Sequence, residues 1–397
     1  MGNFIQQISD RVTVIASARL WLEDAAVQQL TTTAGLPGML KVAGLPDLHP
    51  GRGYPVGAAF FSVGRFYPAL VGNDIGCGMA LWQTDLPAGR GKLDKLDKQI
   101  GNLDQPVNDD EWAVLVGSDQ SLLERREALS EALAVAGLGQ EHLRSLGTIG
   151  RGNHFAELQM IDQLECADSV SGAGVEHKCL QLLVHSGSRG LGQAVLSSHV
   201  AAFGHSGLAP EGIAAQAYLQ QHAAAVQFAE LNRALIGARI LHRLRCRARL
   251  VLDVNHNTVT PARIDDQLGW LHRKGATPSD CGLVMLPGSR DDYSYMLEPL
   301  TDHCAVSLQS LAHGAGRKWQ RSECKDRLIA RATPSQLSRT SLGGRVICND
   351  RALIYEEAAQ AYKRVDSVLA CLVGAGLVRV LYRSKPVLTY KTRGECC

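Results

Sequence analysis

Apolar, β-branched runs bounded by glycine and other turn residues recur along the chain. They are VTVIA (12–16), AAFFSV (58–63), ALVGNDIG (69–76), LQLLVHSG (180–187), LVLDVNH (250–256), GLVMLPGS (282–289) and VRVLYRS (378–384). Each predicts a strand. Helical periodicity governs the stretches from about Asp119 to Leu146, Glu211 to Arg247 and Tyr355 to Leu372. Strands mixed with long helices, but in no regular alternation, predict a complex α+β fold of mixed sheets surrounded by helices, not a doubly wound parallel sheet. No repeat, low-complexity tract or Pro/Gly/Ser-rich linker interrupts the pattern, so residues 1–397 are expected to form a single domain.

Composition changes this picture little. Hydrophobic residues are 45% and charged residues 20% of the chain, with a mean hydropathy of -0.05, which fits a folded chain and excludes extensive disorder. Asp10, Arg11 and Arg19 break the first apolar stretch, which argues against a signal peptide, and no apolar run is long enough to span a membrane. With eleven scattered cysteines, these features predict a cytoplasmic protein of reduced thiols; Cys396 and Cys397 read as part of an exposed tail. Net charge is only +2, so any nucleic acid must be held by a folded patch. Two stretches offer one: Arg233, Arg239, Arg243, Arg245, Arg247 and Arg249, and Arg317, Lys318, Arg321, Lys325, Arg327 and Arg331. For both, a solvated helix face and a phosphate-binding surface remain open.

Glycine, at 40 residues, gathers in short clusters beside polar side chains, where main chain can approach a ligand closely. In PDLHPGRGYPVG, Asp47 and His49 are placed to face a common pocket, although a turn between strands would explain the glycines equally well. In VGNDIGCGMA, Asp74 lies three residues before Cys77, a carboxylate with a thiolate that suits a borderline transition ion. His154 (GTIGRGNHFAE), His185 (VHSGSRGLG) and His256 (DVNHNTV) stand in similar company. The five form a ligand inventory for two ions if the thiolate bridges, an arrangement that recurs in phosphoryl transfer. The histidines at 142, 177, 199, 205, 222, 242, 272 and 303 lack such surroundings and read as surface or satisfied core. His313, in LAHGAGRKW, is a possible nitrogen nucleophile towards phosphorus, with small residues after it for close approach to a phosphate and Arg317 to neutralise charge.

Taken in order, these segments resemble the RtcB family of RNA-splicing and RNA-repair ligases from about Pro46 to Lys391. The resemblance is carried by PDLHPGRGYPVG, GNDIGCGM, GTIGRGNHFAE, HSGSRGLG, LNR, the His256–Asn257 pair, HRKGAT, LPGSRDDYSY, HGAGR, EEAAQAYK and a C-terminal lysine. It implies two Mn²⁺ ions, one held by Asp74, Cys77 and His154, the other by Cys77, His185 and His256. It implies GTP as cofactor, in a pocket made by Asn153, His154, Phe155, Ala156, Glu157, His256, Asn257, Pro287, Gly288, Ser289, Arg290, Ser294, His313, Gly314, Ala315, Gly316 and Lys391. His313 would carry the guanylate. The implied substrates are RNAs, tRNA or rRNA fragments, with a 2′,3′-cyclic phosphate or 3′-phosphate end and a 5′-hydroxyl end. Arg290, Asp291, Ala312 and Thr392 depart from the family's common residues. They suggest a divergent paralogue similar to the branch associated with the release-factor homologue PrfH, which would then be a functional partner; a monomer is expected. Two alternatives stay open: an RNA cyclic phosphodiesterase that does not seal, and a non-catalytic RNA-binding paralogue.

Overall fold

Six of the seven runs form strands, and the long helix Ile213–Leu244 spans nearly all of the second periodic stretch. The computed structural model describes residues 3–89, 93–166, 170 and 172–394; Cys396 and Cys397 lie outside them. The fold is α+β, with two large curled sheets wrapped by helices. One sheet has six strands, in the order Ile5–Ser9, Val12–Ile15, Met39–His49, Val56–Ser62, Gln267–Lys274 and Asn257–Ile264. The other runs Val284–Pro287, Ser294–Pro299, Val378–Thr392, Phe155–Leu164, Cys179–Ser186, Gly78–Pro87 and Ala248–Asn255, with Arg345–Cys348 added parallel to Val378–Thr392.

Three expectations fail. The stretch from Asp119 to Leu146 is a helix only over Ser121–Val135, followed by a 3-10 turn at Gln140–Ser145. ALVGNDIG is no strand: a short 3-10 turn, Pro68–Leu70, leads into a loop, and the strand begins only at Gly78. Positive φ at Gly72 and Gly76 bends this segment away from extended backbone. The helix expected from Tyr355 to Leu372 breaks into Leu353–Glu356, a 3-10 turn at Ala359–Ala361 and Val365–Gly374. The break has tertiary causes. The Lys363 ammonium donates to the carbonyls of Pro46 and Leu48, both at 2.9 Å, and the Tyr362 hydroxyl accepts from the Arg317 guanidinium at 3.0 Å. Such buried bonds outweigh helix propensities of a few tenths of a kcal/mol per residue.

The helix Ile213–Leu244 packs behind the larger sheet and ties both sheets to the loops at their shared end. Arg233 on this helix is fully buried. Its guanidinium donates to Asp253 (2.6 Å), Asn255 (2.7 Å) and the carbonyls of Gly76 (2.8 Å) and Ser186 (3.0 Å). Arg239 is buried too, and with Arg243 it pairs with Glu111 at 3.0 and 2.8 Å. These three arginines are therefore internal struts, neither a solvated face nor a nucleic-acid surface. Buried guanidinium needs such complete pairing because an unpaired charge there costs several kcal/mol.

Candidate active site

Loops and strand ends from both sheets meet around Cys77. Asp74 and Cys77 come from the loop entering Gly78–Pro87, His154 immediately precedes Phe155–Leu164, and His185 lies near the end of Cys179–Ser186. His256 sits between Ala248–Asn255 and Asn257–Ile264, one strand in each large sheet. The His185 and His154 Nε2 atoms lie 3.1 and 3.4 Å from the Cys77 sulfur, and His154 Nε2 lies 2.7 Å from Asp74 Oδ2. Possible ligand atoms of Asp74, Cys77 and His154 fall within 4.8 Å of one another, as do those of Cys77, His185 and His256. Cys77 belongs to both trios.

The surroundings suit a cation. Cys77, His154, His185 and His256 are all buried, and the Nδ1 atoms of His154 and His256 have no hydrogen-bond partner among the described residues. Burial first, then Asp74, pushes the Cys77 thiol well above its ordinary range. Burial and neighbouring imidazoles hold His185 and His256 well below theirs, in the neutral form that ligates metals. A positive ion among these atoms supplies the charge that favours thiolate over thiol. Gly187 is shaped to this cluster, since a Cβ there would lie 2.1 Å from Asp74 Oδ1.

A row of imidazoles leads from this cluster to His313: ring centroids are 5.3 Å apart for His154 and His185, 5.1 Å for His185 and His256, and 4.8 Å for His256 and His313. His313 is held by Asp47. Its Nδ1 lies 2.6 Å from Asp47 Oδ2, and its backbone N–H donates to the same oxygen at 3.1 Å. Asp47 is wholly buried and sits between the two carbonyls that receive Lys363. Nδ1 being engaged, Nε2 is the nitrogen left for chemistry. Gly316, at φ 71°, is required by packing: its Cβ would meet the Asp47 carbonyl oxygen at 2.2 Å. The glycine thus seats the His313 loop on the Asp47 strand.

Beside His313 lies a cavity of about 290 Å³, close to the lower limit for small-molecule pockets. Its walls include Asn153, Phe155, Glu157, Asn257, Pro287 to Arg290, His313 to Gly316 and Lys391, along with Asp74, Cys77, His185 and His256. His154 lines an adjoining groove instead. Ala156 and Ser294 are not on the cavity wall. Strand alternation turns Ala156 to the opposite face, into an apolar cluster with Leu158 and Leu182. Ser294 lies one layer back, where its hydroxyl accepts from Gln159, which also donates to Glu157.

Two buried carboxylates in this cavity have opposite characters. Burial raises Glu157 to about 7, despite the hydrogen bonds from Gln159 and Thr389 and the charge of Lys391. Burial would raise Glu357 too, but Lys391, Arg321, Arg317 and the Tyr362 hydroxyl outweigh it and hold that carboxyl at about 2. Arg317, expected to meet a phosphate, is committed to this cluster: it reaches Glu357 at 3.1 Å, the Tyr362 hydroxyl at 3.0 Å and the Glu356 carbonyl at 2.8 Å.

The family sequence pattern described as tRNA-splicing ligase RtcB matches residues 29–392. The chain belongs to the RtcB family. It is 55% identical to the RNA-splicing ligase RtcB2 of Escherichia coli over 395 residues, 99% of both chains. It is 31% identical to the RNA-splicing ligase RtcB of Mycobacterium tuberculosis, with 90% of this chain and 99% of that one covered. With the tRNA-splicing ligase RtcB of Archaeoglobus fulgidus the identity is 29%, over 92% and 91% of the two chains.

Within this RtcB protein, the departures noted in the sequence have internal partners. Arg290 is buried and donates to the Ile354 carbonyl at 2.7 Å, and Asp291 accepts from the Ser341 amide and hydroxyl at 2.7 and 2.9 Å. Ala312 is buried in a two-stranded ribbon opposite Ala276, and Thr392 donates to Asp104 at 2.8 Å. Sequence reasoning gave Asp47 only a weak place, facing a pocket together with His49, and assigned no site role to Glu357 or Tyr362. All three lie in segments that carry the RtcB resemblance, PDLHPGRGYPVG and EEAAQAYK, so a signal was available.

Proposed function

We propose that this protein is a GTP- and Mn²⁺-dependent RNA ligase that joins a 3′-phosphate or 2′,3′-cyclic phosphate end to a 5′-hydroxyl end. The observation that carries the reading is the place of His313, oriented by Asp47 and set against the His256 ring at 4.8 Å. Family membership and the two trios support it. Asp74, Cys77 and His154 would hold one ion and Cys77, His185 and His256 the other; bound there, the ions supply positive charge to phosphate oxygens. The use of structural elements from Asp47 to Lys391 and of both large sheets supports reading 1–397 as one catalytic domain.

The covalent steps then run through His313, and each balances. Nε2 of His313 attacks the α-phosphorus of GTP, a P–N bond forms and the P–O bond to pyrophosphate breaks. Asp47 accepts the Nδ1 proton's hydrogen bond, fixes the tautomer and steadies the charge that grows on the ring, the part an orienting carboxylate plays beside a catalytic histidine. An oxygen of the RNA 3′-phosphate, produced by water opening a cyclic end where necessary, attacks the guanylate phosphorus and releases His313. The 5′-hydroxyl oxygen then attacks the RNA 3′-phosphorus, GMP leaves, and the hydroxyl proton passes to solvent. In the cavity, Glu157 offers acceptors for the N–H donors of guanine, while Lys391, donating to the Gly152 carbonyl at 2.7 Å, closes the far wall.

The test mixes two RNA strands, one with a cyclic phosphate and one with a 5′-hydroxyl, with the protein, GTP and Mn²⁺. Joined product is expected, none in His313→Ala. Opening of the cyclic end without joining would replace this reading by a phosphodiesterase.

A further inference from the structure

The cavity beside His313 opens into a second, wider groove of about 1090 Å³. The two share His49, Asn73, Asp74, Asn153 and Lys274, so they meet at a residue of the first trio. Arg52, Arg151, Arg189, Lys274, Lys318 and Arg321 line the groove, against the carboxylates of Glu23, Asp74 and Glu356. Part of this positive charge has no firm internal use, unlike Lys274, which donates to the Tyr54 carbonyl at 3.0 Å. Arg52 and Lys318 form no ion pair among the described residues, and the pair of Arg151 with Asp350 is long, at 3.8 Å. Surface cations with loose partners are what a phosphodiester chain recruits.

Among these charges stands one large aromatic side chain, Trp319. It is half-buried: it packs on the apolar cluster of Leu328, Val346 and Leu353, while the Arg327 guanidinium, paired with Glu323 at 2.9 Å, lies over its ring at 5.1 Å. The indole is therefore fixed at the groove wall before any ligand arrives. Arg327 occupies one face of the ring, and the half-buried side chain still lines the groove; an aromatic side chain in a basic groove matches a single strand, whose unstacked bases offer their own faces, better than a duplex, whose bases are already stacked.

We propose that this groove seats the single-stranded terminal segment of the RNA, with a base near the end stacked on Trp319 and the terminal phosphate reaching the Asp74 end of the groove. The proposal rests on the ligase reading, and its test separates the two. Binding of a fluorescently labelled short single-stranded RNA with a 3′-phosphate is followed by anisotropy at several salt concentrations. Wild type, Trp319→Ala, Trp319→Phe and Lys318→Ala are compared, and covalent labelling by GTP with Mn²⁺ reports whether each is folded and loaded.

Trp319→Ala is expected to bind about tenfold to a hundredfold more weakly, the range for loss of one base–aromatic stack, with Trp319→Phe recovering most of the affinity. Lys318→Ala is expected to lower the salt slope by about 0.7, one phosphate contact on a single strand. RNA affinity equal to wild type in all three, or a blunt duplex bound as tightly as the single strand, overturns the groove assignment while covalent labelling leaves the ligase reading intact. Absence of label in wild type sinks the ligase reading, whatever the groove binds. Should Trp319→Ala fail to fold, the salt slope of Lys318→Ala and the comparison of single strand with blunt duplex still decide the matter.

Discussion

At the scale of single residues, the nucleophile assignment depends on Asp47 as much as on His313. An amide at position 47 keeps the shape but cannot balance charge on the ring, and it can present its N–H to the histidine. Asp47→Asn is therefore expected to slow formation of the guanylylated protein by about 10²–10⁴-fold, in the range seen when an orienting carboxylate is lost. Single-turnover labelling would check this; a rate within threefold of wild type would remove Asp47 from the chemistry. Glu357 gives a second test. Its folded-state carboxyl is held at about 2, below the ordinary 4.5, so its contribution to stability is complete above about 4.5 and is lost as pH falls through about 2. Thermal unfolding should show wild type more stable than Glu357→Gln at pH 6, with the gap narrowing steadily towards pH 2.5. A gap independent of pH would mean that the cation cluster does not bind this carboxylate in its charged form.

At the scale of elements, the helix Ile213–Leu244 shows what the sequence could and could not reveal. Its periodicity marked it as a helix, but a run of arginines reads alike on a solvated face and in a core. Only the partners distinguish them, and those of Arg233 come from 76, 186, 253 and 255, distant in sequence. Arg233→Met is expected to destabilise the fold by about 3–5 kcal/mol, because Asp253 and two carbonyls are left buried without their donor. Denaturant unfolding would measure it, and a change below about 1 kcal/mol would show the strut to be dispensable. The same limit explains ALVGNDIG. Local apolar content predicted a strand, whereas glycines at positive φ and the needs of Asp74 and Cys77 made a loop. Likewise the expected helix after Tyr355 yields to the long-range bonds of Lys363 and Tyr362. The metal-type trios were legible because each histidine stood among small polar residues, glycines around His154 and His185 and asparagines around His256; Glu357 and Tyr362 were not singled out, and Asp47 only weakly, since their roles consist largely of contacts with residues far along the chain.

At the scale of the whole molecule, two sheets bring loops from the first fifth and the last few residues of the described chain to one centre. Asp74 and Cys77 lead into one strand of the larger sheet, Lys391 lies near the end of another, and His256 joins a strand of each sheet. Among the described residues, no helix is long and apolar enough to cross a membrane. From this convergence we propose that a metal-type cluster, an oriented histidine and the cavity beside them serve one reaction. The measurement that tests it most directly is incubation with Mn²⁺ and α-labelled GTP, followed by denaturing electrophoresis before and after acid. The account predicts an acid-labile label on the wild-type protein that disappears in His313→Ala and in Cys77→Ala. No label on wild type, or label undiminished in His313→Ala, would contradict it.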